Sequence, residues 1–475
     1  MIVRLRQQFH TGWRLLSSKI EFRSSLCLHD LSVKLKRIDS IQKLTLVVFW
    51  LLSLQFLSTS LLVAQSDVPD LPEIPFDYVT YAVTNLPEHY LPSAPFGDAG
   101  FANNTPTDNL VTNAGATLGR VLFYDRRLSI NNYVSCASCH TQETGFADTR
   151  QFSIGQSGLP TARHSMGLTN AVFYENGRFR WDESAATLEE QCLIPIEAED
   201  EMGLPLSLLR HRLEDTSFYE TLFIDAFGDA EVTDDRIAKA LAQFIRSMVS
   251  YNSKYDLAYA VPAPDGLPDF AAVFDDSELV GQVLFERTPK SVNCHQCHRS
   301  PAVFGDEARN IGLDAKITDA GAGDGRFKVP SLRNIGVRGR FMHDGRFTSL
   351  MEVVEFYDNG IQESPFVDDI LRIDDNPENE IERLNLSAAQ KQALVDFMNT
   401  LTDQQFLNDP KFSDPFGQQV LFGDVDLDGA VLLLDVFPFV QRLTKGPYQN
   451  EADINQDGVV NLQDVSRFVD LLISN

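Results

Sequence analysis

Positive charge is scarce in this chain of 475 residues: 40 Lys and Arg stand against 67 Asp and Glu, a net of −27. That balance repels phosphate backbones and removes nucleic acid as the main partner. Tryptophan is scarcer still: Trp13 and Trp50 lie in the first 64 residues, so Trp181 stands alone in the remainder. Of six cysteines, Cys27 also lies at the front, and the other five cannot all pair with one another. What is present, 43% hydrophobic and 23% charged residues, is the composition of a globular chain long enough for two or three domains, not of a disordered or fibrous one.

The front is a different kind of sequence. Residues 1–64 hold nine Lys or Arg and three acids, which leaves 31 basic and 64 acidic residues beyond them. An uncharged apolar run, LTLVVFWLLSLQFLSTSLLV from Leu44 to Val63, follows Lys43 and a basic stretch and precedes Ala64-Gln65-Ser66. This is the layout of a secretory signal with a small residue at the cut, so residues 1–64 read as a signal peptide and the mature chain as exported, periplasmic or extracellular. An uncleaved anchor helix is the alternative, because the run approaches the ~20 residues that span a bilayer.

Four cysteines fall into two copies of one spacing, each followed at once by histidine: Cys136-Ala-Ser-Cys139-His140 and Cys294-His-Gln-Cys297-His298. This is the attachment pattern of c-type haem. Thiols one helical turn apart reach the vinyl groups along one porphyrin edge, while the adjacent imidazole is held under the iron. A thioredoxin-like pair or a zinc knuckle has no need of a histidine there in both copies, and no strand-helix-strand pattern surrounds either motif. Two covalently bound haem c groups are therefore expected.

Around these motifs the chain reads as mostly helical. One helix is expected near Arg236 to Ser250 and another from Ser387, where Gln390 completes a capping-box pattern. Long connections rich in Gly, Pro and Asn, such as 92–117 and 309–327, suit small haem domains. The expected architecture is two cytochrome c-like haem domains packed together, 65–250 and 251–410. A linker at 411–420 and a C-terminal module at 421–475 follow.

The stretches LGRVLFYDRRLSINNYVSCASCH, RWDESAATLEEQCLIPIEAEDEMG, SLRNIG and FMHDGRFTSLMEVVEFY resemble the bacterial di-haem cytochrome c peroxidase and MauG family, over about residues 75 to 405. The resemblance implies a peroxide-reactive haem in the first domain and an electron-transfer haem in the second. It also implies a tryptophan between the haems, met here by Trp181, and a glutamine and a glutamate in the peroxide pocket, met by Gln191 and Glu201. The chemistry suits those roles. A poised carboxyl group can take a proton from peroxide and return it to the departing oxygen. An amide can hydrogen-bond bound peroxide without competing for its proton. Without the resemblance, Glu201 reads as a solvated acid in the run EAEDE and Trp181 as a packing residue. Cys192, beside Gln191, is expected to be a buried, inert thiol.

The branch within the family turns on the iron ligands. Conventional peroxidases of this kind carry a removable distal histidine after a Ser-x-Gly in the loop following the first motif, whereas here Ser153-Ile154-Gly155 is followed by Gln156. That implies an open first haem, as in MauG; His164, the rival ligand, aligns with an asparagine that helps to hold calcium in relatives. For the second haem, relatives place a methionine, or in MauG a tyrosine, at a fixed interval after the histidine of the motif met here by Phe341-Met342-His343-Asp344-Gly345. The same count from His343 reaches Tyr357. Leu350, Val353, Val354 and Tyr357 share one helix face behind a Ser349–Glu352 capping pattern. The alternative is a core tyrosine with Met342 or Met351 as ligand. A phenolate stabilises oxidised iron, whereas a thioether raises the reduction potential. The inter-haem calcium of relatives is not expected, because Arg338-Gly339-Arg340 replaces the segment whose carbonyls hold it.

The C-terminal module carries GDVDLDGAVLLLDVFPFVQRL and ADINQDGVVNLQDVSRFVDLL, two copies of a calcium loop. Asp424, Asp426, Asp428 and Asp435 stand at the ligand positions around Gly429, and Asp453, Asn455, Asp457 and Asp464 repeat this around Gly458, with Asn461 adding one more oxygen. Leu432 supplies none at the matching place, so weaker binding is expected in the first loop. Duplicated loops of this kind resemble a type I dockerin, which implies a cohesin-like partner.

Together these features predict an exported di-haem peroxidase that acts on hydrogen peroxide and draws on an electron donor protein or an oxidisable protein substrate. The alternatives are a conventional cytochrome c peroxidase fed by a reduced cytochrome or cupredoxin, and a non-catalytic di-haem electron carrier.

Overall fold

Helices and the turns between them make up a computed structural model that describes residues 68–91, 103–286 apart from 175, 262 and 265, 294–299 and 307–416. The leader at 1–64 and the calcium loops at 421–475 lie outside the described residues. Among the described residues there are isolated bridges but no strand, and no helix is long and apolar enough to cross a membrane.

The first half is built on two crossed helices. Helix α1 (Asn113–Tyr124) is capped by Thr112, whose side chain accepts the Gly115 N–H. Helices α2 (Leu188–Glu197), α3 (Leu206–Glu214) and α4 (Ser217–Phe227) follow, and then α5 (Asp234–Ser247), capped by Thr233. Helix α5 starts a little before and ends a little before the expected stretch. It is buried along nearly its whole length from Ile237 to Ser247, because it threads the core rather than lying on it. It meets α1 at Gly119, where a Cβ would stand 2.0 Å from the Ala240 carbonyl oxygen, so only glycine permits the approach.

The second half repeats this frame. After α6 (Lys254–Ala260) and α7 (Phe270–Val273), helix α8 (Asp276–Glu286) crosses α10 (Ala388–Asn399) at Gly281, where a Cβ would stand 1.9 Å from the Ala393 carbonyl oxygen. Helix α9 (Leu350–Glu355) lies between them in sequence. The expected capping box is present in full: the Ser387 hydroxyl accepts the Gln390 N–H, and the Gln390 side chain accepts the Ser387 N–H. Further details recur. Asn170 and Asn334 both adopt left-handed backbone (φ 63° and 60°) ahead of a short helical turn. Their N–H groups donate to the Met248 and Leu401 carbonyls. Their side-chain oxygens accept the N–H of Ser250 (2.7 Å) and of Asp403 (2.8 Å).

One apolar core joins Tyr78, the α1 and α5 faces and Phe223; a second joins Tyr255, Leu284, Val354 and Phe397. The seam between them is polar. The Asp403 carboxylate accepts the N–H groups of Tyr251 and Asn252, and the fully buried Arg333 donates two bonds to Asp256 (2.7 and 2.9 Å), which also pairs with His89 at 2.9 Å. The chain then returns to the first core through α11 (Gln404–Leu407). Phe406, Leu407 and Phe412, which the sequence assigns to the second domain and the linker, pack in the first core, and the Tyr78 and Tyr124 hydroxyls donate to the Lys411 and Phe412 carbonyls.

Candidate functional site

The two Cys-x-x-Cys-His segments fold into the same turn. In the first, the N–H groups of Cys139 and His140 both donate to the Cys136 carbonyl, at 3.2 and 3.0 Å; in the second, those of Cys297 and His298 both donate to the Cys294 carbonyl, at 3.2 and 2.9 Å. Each turn therefore carries two thiols and one imidazole on a single short helical turn. Burial lifts Cys136 and Cys294 to about 12 and Cys139 to about 11, which keeps these thiols protonated. The His140 ring is fixed: Nδ1 lies 2.8 Å from the Phe146 carbonyl oxygen and must donate to it, so Nε2 carries the free lone pair. Burial also lowers the His140 pKa and keeps the ring neutral. The carbonyl that orients it comes from left-handed backbone at Phe146 (φ 60°), directly after Gly145 (φ 69°). Sequence reasoning missed Phe146, and only the glycine before it hinted at the bend.

Helix α2 and the turn after it hold Gln191 and Glu201. Gln191 is half-buried, and its side-chain oxygen is enclosed without a hydrogen-bond partner. Cys192 beside it is buried, and its thiol is pushed up by that burial and by the neighbouring Cys136. Pro195 ends regular bonding near the helix terminus, and Gly203 (φ 63°) turns the chain back so that the Gly203 and Glu201 N–H groups both donate to Ala198. The loop is stitched on two sides: the Gln156 N–H donates to the Glu201 carbonyl at 2.7 Å, and the Ile130 N–H to the Met202 carbonyl at 2.9 Å. Gln156, which follows Ser153-Ile154-Gly155, thus serves as a backbone clamp, and its side chain donates to the Glu199 carbonyl. Burial raises the pKa of the Glu201 carboxyl, and Arg180 only partly offsets this. Asp77, Asp229, Asp256 and Asp319 all move the other way. Glu201 lies close enough to the first turn for its charge to act on Cys136 and Cys139.

The second turn opens into a largely apolar cavity that Cys294, Cys297, His298, Trp181, Met342 and Tyr357 all help to line. Tyr357 does not end a continuous α-helix, as the spacing suggests; α9 stops at Glu355 and a wider turn, Phe356–Gly360, carries the phenol. Burial, with Cys297 and Cys294 nearby, pushes the Tyr357 pKa up. Met351 is not among the lining residues. The Glu352 carboxylate closes its cap on Thr348 rather than on Ser349. Trp181 is held at both ends of its residue: its indole N–H donates to the His164 carbonyl at 2.7 Å, and its carbonyl accepts the Lys328 N–H at 2.8 Å. His164 lines this second cavity, with its N–H on the His343 carbonyl and its ring against the Arg150 carbonyl.

Comparison with known proteins bears on this arrangement. The family model described as di-haem cytochrome c peroxidase matches residues 113–261. The methylamine utilization protein MauG of Methylophilus methylotrophus is 34% identical over 260 residues, 53% of this chain and 74% of its own length. The cytochrome c551 peroxidase of Nitrosomonas europaea is 32% identical over 256 residues, 50% of this chain and 71% of its own. A solved MauG-like protein associated with microbial copper homeostasis superposes with a TM-score of 0.57 at 29% identity, over 70% of this chain and 99% of that one. The chain belongs to the di-haem cytochrome c peroxidase family.

This di-haem peroxidase is an oxidoreductase that acts on peroxide and draws on an electron donor. The family carries two c-type haems, and the residues present fit such groups: each turn offers paired thiols and an imidazole. Among the described residues, no group of three or more His, Cys, Asp or Glu stands ready to bind a bare metal ion instead.

Proposed function

We propose that this chain is an exported peroxidase of the MauG type, with one haem c on Cys136, Cys139 and His140 and the other on Cys294, Cys297, His298 and the phenol of Tyr357, in two haem domains. Bound haem supplies the iron at which peroxide is reduced and a second iron at which oxidising equivalents are held. The chain's own residues do the rest. Glu201 takes a proton from the incoming peroxide and returns it to the departing oxygen, a role that suits a carboxyl lifted toward neutral pH. The Gln191 side-chain N–H donates a hydrogen bond that orients the peroxide, which leaves the peroxide's proton to Glu201. Trp181, which lines the second cavity from the first half of the chain, relays electrons between the haems.

The observation that carries this reading is the company of the first turn: an amide oxygen without a partner and a carboxyl raised by burial, on one clamped segment. Glu201→Gln tests it. Peroxide turnover should fall by about 10²–10⁴-fold with both haems still attached. Turnover equal to wild type, or a wild-type spectrum blind to peroxide, would leave only an electron carrier.

A second reading rests on Met342, which lines the same cavity as Tyr357. A thioether on the second iron would make the protein a conventional cytochrome c peroxidase with a reduced cytochrome or cupredoxin as donor. The absorbance of the reduced protein separates the two ligands. At the C-terminus, residues 421–475 are proposed to bind two calcium ions as a dockerin-like module for a cohesin-like partner.

A further inference from the structure

Two arginines five residues apart are buried in the second half, and the chain treats them differently. Arg333 is fully enclosed and neutralised by Asp256 through two hydrogen bonds. Arg338 is only 9% exposed, yet its guanidinium meets no carboxylate among the described residues. Nη1 donates to the Ser331 carbonyl at 3.1 Å and Nη2 to the Arg333 carbonyl at 2.9 Å, while Nε is buried with no partner. The space for this group is reserved: a Cβ at Gly167 would stand 2.4 Å from Nη2. Arg338 also lines the cavity that opens from the His298 turn. Of the other cations on that wall, Arg309 pairs with Asp368 at 2.9 Å and Lys328 with Glu183 at 3.6 Å, while Arg340 is only half-buried.

A guanidinium held without an anion in a dry interior is costly, and native chains pair such charges or put them beside a charged guest. Carbonyl oxygens offer only partial compensation. We propose that Arg338 is the chain's partner for a propionate of the haem on His298, and that this buried positive charge positions that haem and raises its reduction potential. The chemistry matches: haem carries two carboxylates, and the planar fork of arginine binds a carboxylate through parallel N–H donors. Burial without an anion also pushes the Arg338 pKa down to about 10, which leaves the group charged near neutral pH and ready for a carboxylate. Tyr174 and His164 are the titratable neighbours whose charges couple to it, and neither supplies a carboxylate.

The inference rests on a haem at the His298 turn and not on Tyr357 as its far ligand. Failure of the ligand assignment would appear as a methionine-ligated spectrum, whereas failure here would leave the spectrum alone. The test is a redox titration of the full-length holoprotein, followed by absorbance for each haem. In Arg338→Met the haem on His298 should become harder to reduce by at least tenfold in its equilibrium constant, about 59 mV for one electron, because a cation that stabilised the reduced state has gone. Arg338→Lys should recover most of that shift, which loss of packing alone would not explain. Wild-type potentials in an Arg338→Met protein with both haems attached would overturn the proposal. If that variant does not accumulate, redox-induced infrared difference spectra of the wild type with isotope-labelled haem propionates decide. Ionised, charge-paired carboxylate in both redox states supports the assignment, and a protonated propionic acid refutes it.

Discussion

The segment that presents Glu201 is held by backbone contacts, so its position is testable without altering a titratable group. Gly155 is the tightest of these contacts: a methyl group there would stand 1.9 Å from the Asp200 carbonyl oxygen and 2.9 Å from that of Glu201. Since real Cβ atoms essentially never come within 3.0 Å of such an atom, Gly155→Ala must drive the Asp200 carbonyl back by at least about 1.1 Å. That movement passes directly into the next residue, whose own carbonyl is bonded to Gln156. Misplacement of a reacting group by about 1 Å costs on the order of 10²-fold in rate. The expected outcome is a roughly 10²-fold loss in kcat/KM for peroxide with about 1–3 kcal/mol of destabilisation from overpacking.

The assay is steady-state peroxide reduction with an artificial electron donor, alongside thermal unfolding and absorbance of both haems. Gly158→Ala is the matched control. It lies in the same loop and has left-handed backbone (φ 73°), but nothing stands within 4 Å of its would-be Cβ. It should cost about 1 kcal/mol of strain and leave turnover intact. Wild-type kcat/KM in Gly155→Ala, with the destabilisation present, would show that the clamp does not position the catalytic carboxyl and would refute the reasoning.

Tyr357→Phe should retain both haems but change the oxidised spectrum of the second and shorten the lifetime of the peroxide-oxidised protein in the absence of donor; an unchanged spectrum would remove Tyr357 as ligand. Arg333→Met should destabilise by about 3–5 kcal/mol in chemical denaturation, because the buried Asp256 then loses its arginine and keeps only His89 and the hydrogen bonds from Ser253. Burial by itself would raise the Asp256 pKa, but Arg333 and His89 together hold it below the ordinary value, so its stabilising contribution is present above that value and lost as pH falls through the depressed one. The variant should therefore unfold at a higher pH than wild type on acidification. Calorimetric titration of the full-length chain should find two calcium sites of unequal affinity, the tighter assigned by Asn461→Ala, which should weaken it selectively.

The attachment turns were legible because covalent chemistry dictates both their spacing and their residue types. The cap at Ser387 was legible because its two side chains must be complementary. The duplicated frame was not. Its signals are single residues in unlike surroundings, Gly119 and Gly281 at the helix crossings and Asn170 and Asn334 at the bends, and a lone glycine or asparagine has many other uses. The return of Phe406 and Phe412 to the first core was hidden for a related reason, since an apolar residue near the end of a chain does not announce which core it joins. Arg338 was readable as a residue out of pattern, but its burial without an anion is a property of folded space, not of sequence.

The shared frame also bears on how two similar halves come to differ. Both use the same crossed helices and the same thiol-imidazole turn, so the near side of each haem site is set by common architecture. Divergence must then come from what the loops bring to each site. In the first half it is a short polar segment, pinned by Ile130 and Gln156, with a carboxyl that can exchange a proton. In the second it is an apolar cavity that holds the Tyr357 phenol and a guanidinium with no carboxylate of the chain to pair with. A dry cavity disfavours net charge change unless a compensating charge is built in, whereas proton transfer to peroxide needs a group able to gain and lose charge. The proposed division of labour, chemistry in the first half and storage in the second, therefore follows from dielectric environment rather than from the haem turns, which are alike.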